Sequence, residues 1–268
     1  MKVLGAIALN VFRESVRDKV LYNLVLFAVL LIGASYLIGQ LTAGQDMKII
    51  KDLGLSAIGV FGLFIAVFIG IGLVWKEVER RSIYALLTKP ITRVEFIVGK
   101  YLGLLLTLLV NLAVMAAALY AVLGLMTWFG PASLTSALDA PVFDPGLLLA
   151  IALIFVQLAL VTAIALFFST FSTPMLSAAF TFALYVAGHF SADLKHFESV
   201  VDSPVAVYLT RTLYYLLPNL APFDIKALVV HGQPLAPGYL AATVLYGVVY
   251  TAAVLLAATL VFARRDFK

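Results

Sequence analysis

The sequence predicts an all-α membrane protein with six transmembrane helices and with both termini in the cytoplasm. Of its 268 residues, 63% are hydrophobic and only 12% are charged, whereas soluble domains average about 25% charged residues. The mean hydropathy is +1.09, so this chain has too few polar groups to cover the surface of a soluble globule. Six long charge-free runs complete the pattern of a polytopic membrane protein.

These six charge-free runs are the predicted spans. A hydrocarbon core of about 30 Å requires about 20 apolar residues in a helix that rises about 1.5 Å per residue. The runs cover residues 20–41, 53–75, 101–126, 147–171, 175–192 and 238–262. The fifth run is the shortest, and only Ser172, Thr173 and Pro174 separate it from the fourth. We therefore expect the fourth and fifth helices to form a tight hairpin.

The distribution of basic residues predicts the orientation of the chain in the membrane. Six crossings place both termini on one side, and 13 of the 18 Lys and Arg residues lie on that side. The five on the opposite side are Lys48, Lys51, Lys195, Arg211 and Lys226. Loops that stay in the cytoplasm are enriched in Lys and Arg. We therefore expect cytoplasmic termini and a single transmembrane domain over residues 1–268.

The first and the longest segments outside the spans are both expected to be ordered. Residues 1–19 place Leu4, Ile7 and Val11 near one helical face, which predicts a helix lying in the cytoplasmic interface of the membrane. Residues 193–237 form the longest loop, and its Leu, Val and Tyr side chains predict a short interfacial helix before Pro218. We expect this loop to cap the extracytoplasmic face.

Residues 76–100 form the most charged part of the chain. They contain six basic and three acidic side chains around the apolar residues Ile83, Leu86 and Leu87. Proline interrupts helices because it lacks an N–H group and clashes with the preceding turn. We therefore expect Pro90 to divide this segment into two short cytoplasmic helices.

Several kinds of chemistry are excluded or disfavoured. The six runs contain no Asp, Glu, Lys or Arg, which disfavours transport driven by ion gradients, because such carriers place ionisable groups inside the bilayer. Gly99 and Lys100 are followed by Tyr101 and lack the upstream glycine of a phosphate-binding loop. The absence of cysteine excludes disulfides and thiolate catalysis. A net charge of +4 is too small to indicate nucleic-acid binding.

Two histidines and a carboxylate form one candidate metal site. His189, Asp193 and His196 are spaced i, i+4 and i+7, so they share a face if the fifth helix continues beyond the bilayer. Imidazole and carboxylate groups at this spacing can hold a transition metal. The alternative is that these side chains face water or cap a helix end, and we favour this alternative. No metal site is therefore predicted.

Small and polar residues within the spans each allow two interpretations. Small residues at helical spacing permit close packing within one chain or between two copies; those of the second span are Gly59, Gly62, Ala66 and Gly70. Polar residues can line a substrate pathway or hydrogen-bond to neighbouring helices; the candidates are Asn111, Gln157, Thr162 and Tyr185.

Segment 76–100 also carries a family resemblance. Its matching residues are Glu77, Glu79, Arg80, Arg81, Leu86, Leu87, Lys89, Pro90, Thr92, Arg93, Phe96, Gly99 and Lys100. In this order, after a second span, they resemble the signature of the permease subunits of ATP-binding cassette exporters of the second integral-membrane class. The order of helices and loops over the whole chain is similar too. Within the class, the sequence looks closest to the branch that includes the permease of nitrous-oxide reductase maturation.

The resemblance implies that this chain is half of a transporter in the cytoplasmic membrane. A second permease subunit, identical or homologous, would complete the pathway, and two ATPase subunits would bind the ATP and Mg²⁺, so that no cofactor is expected in this chain. Segment 76–100 would contact the ATPase, with Glu79, Arg80 and Arg81 as the coupling charges. The full set of expected contact residues is Glu77, Glu79, Arg80, Arg81, Ile83, Leu87, Lys89, Pro90 and Arg93.

Two alternatives stay open at this point. The charges of segment 76–100 can interact with anionic lipid as an ordinary positive-inside loop. The protein can also be a membrane scaffold that anchors a cytoplasmic partner without transporting anything. A membrane-embedded enzyme is disfavoured because the spans contain no candidate catalytic group.

Overall fold

A computed structural model describes residues 2–40, 46–79, 92–129, 144–191, 208, 212 and 217–264. Over these ranges the chain is helical and contains no β-strand. The helices are α1 (Lys2–Val16), α2 (Lys19–Gln40), α3 (Asp46–Glu79), α4 (Arg93–Phe129), α5 (Pro145–Ser169), α6 (Pro174–His189), a 3₁₀ turn (Ala221–Phe223), α7 (Lys226–Val230) and α8 (Tyr239–Arg264). The all-α fold class is therefore confirmed.

Five of the described helices are long and apolar enough to cross a membrane. The candidate spans are Lys19–Gly39, Met47–Gly72, Arg93–Trp128, Pro145–Ser169 and Tyr239–Arg264. They coincide with five of the six runs read from the sequence. The chain is thus a multi-pass membrane protein.

Two of these helices continue well beyond the apolar runs that predicted them. Helix α3 has 34 residues and α4 has 37, which correspond to about 50 and 55 Å of helix. Both exceed a hydrocarbon core of about 30 Å, so at least one end of each projects beyond it. The predicted boundaries were set by charged residues, but a charged side chain ends an apolar run without ending a helix.

Helix α5 lies at the centre of the bundle. Its buried residues point in all directions, from Leu147 at its start to Ser169 at its end, as expected for a helix that is apolar on every face. Helices α3, α4, α6 and α8 all pack against it.

Helices α3 and α4 are antiparallel, and Gly54 of α3 contacts Leu119 of α4. We call the end of the bundle that holds the start of α4 the junction end, and the opposite end the far end.

Helix α6 is shorter than the fifth predicted span. Its 16 residues give about 24 Å of helix, and it ends at His189 instead of continuing to residue 192. From residue 217 onward the chain packs against the end of α6, where the Leu220 N–H donates to the Gly188 carbonyl at 2.9 Å. Leu220 and Phe223 are fully buried there. A packed segment thus occupies the space that a longer helix would have filled.

Helix α8 returns the chain to the junction end. Gly238, just before its first turn, and Leu240 within that turn border a cavity beside Gly146 of α5 at the far end. Near its other end, Phe262 stacks on Phe96 of α4. Helix α8 therefore runs in the same direction as α5, and α6 together with the packed segment carries the chain back between them.

A helix is present where the sequence predicted one in residues 1–19, and this helix, α1, packs tightly on the first turns of α4. A Cβ added at Gly99 would lie 2.9 Å from Ile7 Cβ. A Cβ added at Gly103 would lie 2.5 Å from the Ala8 carbonyl oxygen and 2.6 Å from Val11 Cβ. Such approaches require residues without side chains. These two glycines thus let α1 dock on α4.

The Gly103→Ala substitution should separate α1 from α4, because the backbone oxygen of Ala8 cannot move without its helix. We expect overpacking of about 1–3 kcal/mol and a lower thermal unfolding midpoint in detergent. Gly124→Ala on the same helix is the control, because a Cβ there meets nothing within 4 Å and alanine favours helix by about 1 kcal/mol. Equal midpoints for the two variants would contradict this packing.

Candidate functional site

The two ends of the segment 76–100 are continuous with long helices. Helix α3 includes Glu77 and Glu79 and ends there, and α4 starts at Arg93. These ends are therefore extensions of the spans and not the separate short helices expected from the sequence. The remaining residues expected to contact an ATPase lie outside the described part of the chain: Arg80, Arg81, Ile83, Leu87, Lys89 and Pro90.

A capping box fixes the start of α4. The Thr92 N–H and hydroxyl both donate to Glu95 Oε2 at 2.9 Å, and the Glu95 N–H donates to Thr92 Oγ1 at 3.2 Å. This reciprocal arrangement satisfies N–H groups that lack partners inside a helix. It follows from the Thr-x-x-Glu spacing in the sequence. The capping box therefore fixes the backbone conformation at the point where the charged segment joins α4.

Arg93 connects the start of α4 to the end of α8. Its guanidinium Nη1 donates to the carbonyl oxygen of Phe262 at 3.3 Å and also to that of Ala263. The last carbonyls of a helix have no partner within it and carry the negative end of its dipole. Arg93 thus caps α8 from another helix. No sequence pattern pointed to this contact, because 169 residues separate Arg93 from Phe262.

An aromatic and a basic side chain extend this contact along α4. Phe96 and Phe262 stack with ring centroids 5.6 Å apart and an interplanar angle of 16°. Lys100 Nζ lies 5.0 Å from the centroid of the Phe96 ring, a favourable position for a cation. Lys100 is only 1% exposed. We call Arg93, Phe96, Lys100 and Phe262 the junction cluster.

The small residues of α3 mostly face the centre of the same chain. A Cβ at Gly62 would lie 2.5 Å from Leu158 Cδ1, and one at Gly70 would lie 3.4 Å from Ala165 Cβ. Both neighbours belong to α5. Ala66 is buried as well. At Gly59, by contrast, an added Cβ would meet nothing within 4 Å, so this position leaves space for another molecule.

Two of the polar candidates bond to their own helices. Asn111 Nδ2 donates to the Thr107 carbonyl at 2.6 Å, and Thr162 Oγ1 donates to the Leu158 carbonyl at 2.8 Å. Thr107 and Thr162 border a cavity of about 10 Å³ between α3, α4 and α5. A space of this size holds about one water molecule and no larger substrate.

The other two polar candidates meet at His189. Gln157 Nε2 lies 3.0 Å from His189 Nε2, and His189 Nδ1 lies 2.9 Å from the Tyr185 carbonyl oxygen. An amide nitrogen only donates and a carbonyl only accepts. In this arrangement Nε2 of the ring accepts and Nδ1 carries the hydrogen. The sequence suggested His189 as a possible metal ligand and Gln157 as a possible residue of the substrate pathway, but no sequence pattern indicated that the two side chains are in contact.

The candidate metal site is only partly within the described chain. Asp193 and His196 lie outside it, so the proposed i, i+4, i+7 face is not described. Within the described ranges, no group of three His, Asp or Glu side chains could hold a metal ion. His189 itself is engaged with Gln157 and with the backbone of its own helix.

The far end contains an ion pair between a buried lysine and a partly buried aspartate, beside a larger cavity. Lys51 Nζ of α3 lies 3.8 Å from Asp144 Oδ2. Asp144 also caps α5, since its Oδ1 accepts from the Gly146 N–H at 2.8 Å. The adjoining cavity has a volume of about 440 Å³ and is bordered by Asp144, Gln233 and Leu240, among others. The sequence placed Lys51 among the charges outside the spans and gave no indication of its pairing with Asp144.

Asp144→Asn should separate the two roles of this carboxylate. Asparagine still caps a helix, but Lys51, whose side chain is 4% exposed, loses its counter-charge. We expect a loss of about 1–3 kcal/mol in stability. The matched control is Asp224→Asn, which breaks an exposed pair with Lys226 at 3.6 Å and should cost less than about 1 kcal/mol.

Unfolding of both variants in the same detergent provides the measurement. A midpoint for Asp144→Asn as high as that of Asp224→Asn would show that the Lys51 pair contributes nothing.

Comparison with known proteins agrees with the resemblance carried by segment 76–100. Residues 5–267 match the profile of a family described as ABC-2 family transporter protein. No curated protein matches the sequence significantly. The family match includes α1, all five candidate spans and both ends of the charged segment. This chain therefore belongs to the ABC-2 family of transporter proteins and is an ABC transporter permease.

Proposed function

We propose that this permease is the membrane subunit of an ATP-driven exporter and that segment 76–100 couples it to a separate ATPase. The observation that carries the proposal is the continuity of α3 and α4 with the two ends of this segment. A helix transmits a displacement along its axis because its backbone hydrogen bonds keep its length fixed. Movement of a partner bound to this segment would therefore reach both spans directly.

The packing of the two helices supports their role as levers. Helix α3 is held against the central helix at Gly62 and Gly70, and α4 is held to α1 at Gly99 and Gly103. Close-packed contacts transmit movement because interiors yield little to compression. A shift at the junction end would thus rotate or tilt whole helices, as in other rigid-body transitions.

The family and the surface support the remaining subunits of this proposal. Two ATPase subunits would bind ATP and Mg²⁺, and a second permease, identical or homologous, would form the other wall of the pathway. Large apolar side chains are exposed along α2, α6 and α8, where lipid or the second permease would cover them. Gly59 is the small residue open to that partner. Gln157 and Tyr185 are the polar candidates that we retain for the pathway.

For the topology, we propose six crossings with cytoplasmic termini, in a cytoplasmic membrane. Helix α8 starts at the far end, whereas α5 finishes at the junction end. The chain must cross the bundle between them, and α6 with the packed segment at 217–230 provides this path. The Lys and Arg distribution then assigns the junction end to the cytoplasm.

Single cysteines can test this topology, because the natural chain has none. Thr173 and His231 are both exposed and lie on either side of the α6 crossing. In intact cells, a membrane-impermeant maleimide should label His231→Cys and not Thr173→Cys. Permeabilised cells should allow labelling of both. Equal labelling of the two positions in intact cells would contradict a crossing at α6.

The coupling role is tested by Arg80→Ala combined with Arg81→Ala. Loss of interface charges that pair with a partner costs at least about 2 kcal/mol. We therefore expect at least about a tenfold loss of ATPase recovered with the tagged permease, or of its ATP turnover. The assay is purification in mild detergent, followed by measurement of partner stoichiometry and ATPase rate.

The control for this experiment is Arg13→Ala combined with Arg17→Ala. Both arginines are exposed at the end of α1 and contribute the same charge on the same side of the membrane. Equal losses in the two double variants would indicate a general interaction with anionic lipid. A bound ATPase whose rate of ATP turnover does not depend on the permease would instead indicate that this protein is a scaffold.

A further inference from the structure

We propose that Arg93 is a positioning residue that fastens the end of α8 to α4, so that α8 moves with the coupling segment. This inference rests on the proposed function, since it concerns how a movement of segment 76–100 spreads through the permease. It assigns Arg93 a role within this chain, whereas the sequence alone suggested a contact with the ATPase.

The hydrogen bonds of Arg93 are the first argument. Its guanidinium is directed at the carbonyl oxygens of Phe262 and Ala263. These carbonyls belong to the last turn of α8, where no N–H group of the same helix can reach them. A guanidinium satisfies two such acceptors at once and complements the negative end of the helix dipole. An Arg93 bonded in this way has fewer donors for a soluble partner.

The aromatic contact is the second argument, and it is independent of charge. Phe96 lies one helical turn beyond Arg93 and stacks on Phe262, while Lys100 lies against the Phe96 ring. Positions 93, 96 and 100 are spaced i, i+3 and i+7, so they form one stripe along α4. The first two positions of this stripe face the end of α8. The two helices therefore meet through two adjoining contacts of different chemistry.

The exposure of α8 is the third argument. Its buried residues are Thr243, Gly247, Ala258, Thr259 and Phe262, and the rest of the helix is half-buried or exposed. Phe262 is thus one of few anchors that α8 has near the junction end. At the opposite end, Leu240 of α8 borders the far-end cavity. A movement of α4 passed to α8 at the junction cluster would change the shape of this cavity.

The experiment is a double-mutant cycle on the intact complex of permease and ATPase. The variants are Arg93→Gln, Phe262→Ala and the two together, and the readouts are kcat and KM for ATP. We expect each single change to lower kcat about fivefold, as the loss of one such contact does, with KM for ATP unchanged. The double variant should be no slower than the slower single variant, because both changes break the same connection.

Conservative and control variants separate positioning from folding. Phe262→Tyr keeps the stacked ring and should restore kcat, and Arg93→Lys should restore part of it. Leu109→Ala lies on α4 but removes a side chain that is 49% exposed and far from the junction cluster, so its kcat should equal that of the unmodified complex. If Phe262→Ala fails to fold, Phe262→Leu takes its place in the cycle, because it removes the ring and keeps an apolar side chain.

The outcomes distinguish this inference from the proposed function. An unmodified permease that copurifies without an ATPase would refute the proposed function itself. If the ATPase is present, a Phe262 variant with full kcat beside a slow Arg93→Gln would overturn the inference, since Arg93 would then act on the ATPase directly. Additive losses in the double variant, or a changed KM for ATP, would overturn it as well.

Discussion

The structure depends on one constraint, which is that backbone groups at helix ends and interruptions need hydrogen-bond partners, and that those in hydrocarbon must find them within the protein. Long helices meet this requirement along their length but leave carbonyls at their last turns. At the junction end, Arg93 supplies donors for the last carbonyls of α8. Where α6 ends early, the Leu220 N–H bonds to Gly188. The chain can thus interrupt a span because its returning segment brings its own partners.

Glycine decides which helices approach each other most closely. Lipid provides no hydrophobic drive for helices to associate, so packing at short distance must do so. Gly62 and Gly70 bring α3 to the central helix, and Gly99 and Gly103 bring α1 to α4. The two helices that continue from the charged segment therefore both have glycine-mediated contacts, as α6 and α8 also do at Gly188 and Gly247. This arrangement couples them to separate parts of the bundle.

Much of this organisation could be predicted from the sequence, because charge-free runs and the Thr92–Glu95 spacing are local signals. Five spans and the helix of residues 1–19 follow from such signals. The ends of α3 and the partners of Lys51 and Arg93 could not be predicted from local signals, because they depend on residues far away in the chain. Asp144, for example, neutralises the charge of Lys51. This pairing allows a charged side chain within α3. The fifth run was apolar enough for a span, but α6 has only 16 residues, and hydropathy did not predict where this helix ends.

The two ends of the bundle differ in how closely their helices are packed. At the junction end, α1, α4 and α8 are joined by glycine contacts, a shared cap and stacked rings, which leave little freedom between them. At the far end, a cavity of about 440 Å³ separates the starts of α5 and α8. Since packed elements transmit displacement, a shift introduced at the junction end by the partner that we propose would pass along the helices and would change the shape of the cavity at the far end.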